Sequence, residues 1–64
     1  MFINGEKADF AAEMTVAALL EQRGYDCSRV AVEINGVIVP RTAFVDETLV
    51  EGDKIEIVTF VGGG

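Results

Sequence analysis

Chemistry has few places to sit in this chain. There is one cysteine, Cys27, and no histidine. Without a histidine base, the Ser-His and Cys-His pairs and triads of nucleophilic enzymes are excluded. Structural zinc needs four Cys or His ligands, and no metal site is expected. A lone thiol makes no internal disulfide, which points to a reducing, cytoplasmic setting. Cys27 is expected to serve as a small, partly buried hydrophobe. The acidic pairs Asp46-Glu47 and Glu51-Gly52-Asp53 match no calcium-loop spacing and read as solvated turns.

What remains is Gly62-Gly63-Gly64. No helix follows these glycines whose N-terminus could hold a phosphate, so they are not an anion loop. Three residues without Cβ atoms do make a strip thin enough for another protein's narrow channel, with free choice of φ and ψ. A terminal carboxylate on Gly64 is ionised at neutral pH, its reference pKa being roughly 3.3–3.7, and is a poor electrophile. Conversion to an acyl adenylate with ATP would give it a leaving group. A sulfur nucleophile could then displace AMP and leave a thiocarboxylate. Nothing in the sequence is suited to hold ATP, so activation has to come from a partner, and the chain is that enzyme's substrate rather than an enzyme.

The elements that must carry such a tail are short. Sixty-four residues make one domain, and at this size only about 60% of the unfolded surface is buried, which leaves no room for a deep cleft. Half the residues are hydrophobic and 25% charged, as in a folded globular chain. The net charge is −6 and the five cations are scattered, so nucleic acid is excluded as a partner and a basic protein surface is favoured. No apolar run approaches the ~20 residues of a membrane span, and no secretion signal opens the chain.

Met1-Phe2-Ile3, Asn4-Gly5 and Glu6 to Phe10 read as a hairpin with a type I′ turn, its second strand a polar sheet edge. Thr15 is placed to cap a helix of about eight residues. Met14 and Leu19 form its hydrophobic staple, Val16, Leu19 and Leu20 its apolar stripe, and Gly24 its left-handed end. Val30 to Ile34 alternates, Asn35-Gly36 turns, and Val37-Ile38-Val39 returns until Pro40 ends the strand. Residues 41–53 form a connector in which Phe44, Val45 and Leu49 are expected to close the core. Lys54 to Val61 is the last strand. Hairpin, helix, hairpin, connector and strand define an α+β fold with four to five strands in a mixed sheet and one helix across one face. Setting the last strand parallel beside the first gives the β-grasp, or ubiquitin-like, topology. The expected organisation is a β-grasp domain over 1–61 and a flexible glycine tail over 62–64.

Alternation sorts the last strand. Ile55, Ile57 and Thr59 share one face, and Glu56, Val58 and Phe60 the other. Ile55 and Ile57 belong under the helix, since the opposite set carries a glutamate. Val58 and Phe60 are then apolar residues on the helix-free face beside the tail, and are expected to dock partners there.

The whole chain resembles the sulfur carriers of thiamine biosynthesis, the ThiS family. The resemblance rests on Ile3-Asn4-Gly5, Thr15-Val16-x-x-Leu19-Leu20, Val30 to Asn35, Val39-Pro40-Arg41 and, most specifically, Gly52-Asp53-x-Ile55-Glu56-Ile57-Val58 leading to Phe60-Val61-Gly62-Gly63-Gly64. It implies that an adenylating enzyme related to ubiquitin activators charges Gly64 with ATP and magnesium. Sulfur then comes from a persulfide donor such as a cysteine desulfurase, and the thiocarboxylate delivers it to thiazole synthase. Gly63 and Gly64 match the family's functional pair, and Gly62 is an additional glycine. The carrier binds no cofactor itself and is expected to be a monomer. Related readings are the small subunit of molybdopterin synthase, a ubiquitin-like protein modifier, and a β-grasp interaction module with an inert tail.

Overall fold

A computed structural model of the chain describes residues 1–10 and 12–60. Strands β1 (Phe2–Ile3) and β2 (Glu6–Lys7) form the first hairpin, followed by helix α1 (Val16–Gln22) and a 3₁₀ turn at Cys27–Arg29. Strands β3 (Val30–Ile34) and β4 (Val37–Val39) form the second hairpin. A 3₁₀ turn at Arg41–Ala43 leads through the connector to β5 (Lys54–Thr59). The five strands lie in the order β2-β1-β5-β3-β4. β5 runs parallel to β1 on one side and antiparallel to β3 on the other, as the β-grasp requires.

Both Asn-Gly pairs turn as expected, with φ of +51° and +84° at Asn4 and Gly5, and +52° and +84° at Asn35 and Gly36. The first hairpin is shorter than the sequence suggests. β1 bends away at Asn4 after two residues, and β2 has no partner besides β1. Beyond Lys7 the two segments exchange only the bonds of Met1 and Ala8: Ala8 N–H donates to the Met1 carbonyl at 2.9 Å, and the Met1 amino group donates to the Ala8 carbonyl at 3.3 Å.

The helix is closed at both ends. The Thr15 hydroxyl accepts from Ala18 N–H at 3.1 Å. At the far end Tyr25 N–H reaches the Leu20 carbonyl (2.9 Å) and Gly24 N–H the Glu21 carbonyl (3.1 Å), with Gly24 at φ +78°. This is the Schellman arrangement. Two further donors of the first turn are taken by the connector, Val16 N–H by the Glu47 carbonyl and Ala17 N–H by that of Phe44, each at 2.9 Å. The connector is thus a cap for the helix as well as a link to β5.

Val16, Leu19 and Leu20 of α1 bury against Ile3, Val30, Val32, Val39, Ile55 and Ile57 of the sheet, with Met1, Phe44 and Leu49 completing the core. One expectation fails here. Val45 is 67% exposed and closes nothing, because the chain leaves the Arg41–Ala43 turn with Phe44 pointing in and its neighbour pointing out. Phe44 and Leu49 suffice.

Candidate functional site

The candidate site is the outer face of β5, the strand that precedes the glycine tail in sequence. Lys54 through Val58 alternate between exposed and buried as the period of two demands, and Thr59 and Phe60 beyond them are both exposed. Ile55 and Ile57 are 1% and 6% exposed beneath the helix, whereas Val58 and Phe60 are 55% and 51% exposed on the opposite face. No part of the connector covers them among the described residues. Val58 lies opposite the half-buried Ala31 of β3, and Ile38 of β4 extends the apolar surface across Glu33.

The same face carries charge. Glu33 and Glu56 are direct cross-strand partners, and like charges so placed disfavour the sheet. No ion pair within 4 Å joins either to a cation among the described residues. Together with Asn35, Gly36, Lys54 and Val58 they line a hollow open to solvent. The face therefore offers apolar side chains next to unpaired carboxylates, a combination suited to a partner that presents apolar groups flanked by cations.

Two asparagines hold the strand that carries this face. Along β1 the parallel ladder reaches Asn4, whose N–H donates to the Ile55 carbonyl at 2.8 Å. The chain then turns, and the side chain takes over. Asn4 Oδ1 accepts from Ile57 N–H at 2.7 Å, and Asn4 Nδ2 donates to the Ile57 carbonyl at 3.3 Å. The carboxamide stands where the next peptide group would have been. Asn35 acts likewise at the other end of β5. Its N–H donates to the Lys54 carbonyl (2.8 Å), and its Oδ1, in place of its own carbonyl, accepts from Lys54 N–H (3.0 Å). The Asn-Gly signal indicates the turns, but partners 53 and 19 residues away leave no local trace.

Asp53, read as part of a solvated turn, is 5% exposed. Its Oδ2 accepts from Val50 N–H at 2.8 Å and its Oδ1 from Asn35 Nδ2 at 3.0 Å. Burial is tolerated because both oxygens are hydrogen-bonded. Cys27 is half-buried and packed on the core, as a hydrophobe would be. Beside it Asp26 accepts from the Ser28 hydroxyl (2.7 Å) and the Ser28 N–H (2.9 Å). These bonds hold its carboxyl below the ordinary value of 3.8, with the Arg29 guanidinium at 3.6 Å adding to the effect. No group of three or more His, Cys, Asp or Glu residues among the described residues is placed to hold a metal. No helix among them is long and apolar enough to cross a membrane. The expected reactive residues Gly62, Gly63 and Gly64, with Val61 before them, lie outside the described residues.

Residues 1–64 match the model of the ThiS family. The chain belongs to the ThiS family. In the crystal structure of the thiamine biosynthesis protein ThiS from Geobacter metallireducens, the same fold recurs with a TM-score of 0.79. The two are 35% identical, and the match covers 98% of this chain and 96% of that one. The chain is 39% identical over 62 residues to the uncharacterized protein ycf40 of Pyropia yezoensis, covering 97% of this chain and 87% of that protein. It is also 50% identical over all 64 of its residues to a thiazole synthase from Paramagnetospirillum magneticum, of whose length it spans only 20%. Members of the ThiS family are small sulfur carriers of thiamine biosynthesis rather than enzymes.

Proposed function

We propose that the chain carries sulfur as a thiocarboxylate on Gly64 and delivers it to a thiazole synthase. The observation that carries this reading is the ThiS match over residues 1–64, which includes the diglycine Gly63-Gly64 that follows the central strand in sequence. Similarity to a thiazole synthase supports that acceptor over the one served by molybdopterin-synthase subunits. A partner adenylating enzyme, using ATP and magnesium, joins AMP to the Gly64 carboxylate and releases pyrophosphate. A persulfide sulfur, supplied by a donor such as a cysteine desulfurase, attacks the carbonyl carbon and AMP leaves. A thiol then cleaves the S–S bond, and the sulfur stays on the carrier. The base, metal and nucleotide site for these steps belong to the partner enzyme. This chain's part is to present the tail: Gly62, Gly63 and Gly64 pass through a narrow channel, while Val58 and Phe60 dock on the enzyme.

Intact mass after incubation with the activating enzyme, magnesium, ATP and a persulfide source tests the reading. The expected gain is that of one oxygen replaced by sulfur, retained in Cys27→Ser and lost on deletion of Gly64. Loss of charging in a folded Cys27→Ser variant would overturn the assignment of the chemistry to the tail. Attachment to protein lysines in place of sulfur transfer would favour a modifier.

A further inference from the structure

We infer that Asn4 is a positioning residue for the face beside the tail: its side-chain amide closes the β1 side of β5 at Ile57 and fixes how Val58 to Phe60 run on from there along β3. The inference rests on the reading of the tail as the reactive end. β5 is held on both sides only as far as this amide. On the β3 side the ladder continues, and Phe60 N–H donates to the Arg29 carbonyl at 2.8 Å. Alternation turns the Thr59 backbone groups the other way, toward β1. There the chain has already turned at Asn4, and no hydrogen bond reaches Thr59 from that side among the described residues. The Asn4 carboxamide is thus the last group on the β1 side of the strand before the tail begins.

The residue at this position has to do two things. It adopts φ +51°, which glycine would also allow, and it offers one acceptor and one donor to a single peptide group. Aspartate keeps the turn but sets a carboxylate oxygen against the Ile57 carbonyl. Glycine keeps the turn and loses both bonds. Only asparagine combines the left-handed turn with a two-sided grip. Released from that grip, the strand beyond Ile57 is hinged on β3 alone, and Val58 and Phe60 no longer stand at a fixed angle to the sheet.

Asn35 supplies the control, since it holds the opposite end of β5 and touches nothing near the tail. The test compares Asn4→Gly with Asn35→Gly in the full chain. In amide hydrogen exchange, Asn4→Gly should speed exchange at Phe60 by about tenfold or more, the loss of roughly one hydrogen bond's worth of protection, while Leu20 stays protected. Asn35→Gly should leave Phe60 unchanged. In charging by the activating enzyme, Asn4→Gly should raise KM for the carrier about tenfold with kcat held. Equal behaviour of the two variants in exchange at Phe60 makes Asn4 merely a fold residue and overturns the inference, whether or not charging occurs. Failure of the wild-type chain to be charged overturns the proposed function instead, and the exchange result still decides the role of Asn4.

Discussion

Ile57 and Val58 are neighbours on one strand and belong to different regions of the molecule. Ile57, with Ile55, Val30 and Val32, lies under the helix and is closed from water. Val58, with Phe60 and Ile38, is a comparable hydrophobe left more than half exposed. Hydrophobicity does not separate the two faces; cover does. The single helix and the connector shield one side of the sheet, and nothing shields the other among the described residues. The inner face spends its apolar side chains on holding the fold together. The outer face keeps them available to a partner, next to the directly opposed Glu33 and Glu56. A chain of this size thereby writes its core and its proposed docking surface into the same strand, one residue out of phase.

The largest effect that can break this comparison is on the inner face. Ile55→Ala should cost about 2–5 kcal/mol of stability, a large share of the ~5–15 kcal/mol of an ordinary domain, in a urea titration. A loss below about 0.5 kcal/mol would mean the faces are not distinct. Phe60→Ala should do the reverse. Stability should move by no more than about 0.5 kcal/mol, while affinity for the activating enzyme, measured by calorimetry, falls by about 2 kcal/mol, roughly thirtyfold. A collapsed melting transition with unchanged affinity would return Phe60 to the core. Thr15→Ala sharpens the contrast because it removes a helix cap and touches neither face. It should lower the urea midpoint by an amount equivalent to about 1 kcal/mol and leave affinity unaltered.

The smallest effect lies at Asp26. The Ser28 hydroxyl and then the Ser28 N–H hold its folded-state pKa below 3.8. A carboxyl depressed on folding adds stability above its unfolded value and loses it as pH falls through the folded one. Asp26→Ala should therefore flatten slightly the loss of stability between neutral pH and pH below 3.8, with no change in affinity at either end. Urea midpoints of the two proteins across that range check it. A loss as steep as that of the wild type would show that other carboxylates carry the whole acid response.

The legible parts of this protein are those governed by near neighbours. The Asn-Gly turns, the Thr15 cap, the Gly24 end and the alternation of β5 all follow from residues a few positions apart, and the structure bears each of them out. The exposure of Val58 and Phe60 followed as well, because a strand next to a single helix has one covered face and the glutamate marks the other. Less was visible where a residue answers to distant chain. Val45 looked like core and is not, since hydrophobicity is local while the turn that aims it is not. Asp53 looked like solvated turn and is buried, since its partners include an asparagine 18 residues away.

By itself, then, the sequence determined where the chain turns, caps and alternates, and through its match along the whole length, to which family it belongs. Tertiary structure alone decided that the connector backbone would cap the helix, that the side chains of Asn4 and Asn35 would replace peptide groups beside β5, and that a buried Asp53 would be satisfied. The reason is physical. Backbone preference is settled within a few residues, whereas a hydrogen bond between side chain and distant strand exists only after the chain has closed and excluded the water that would otherwise take its place.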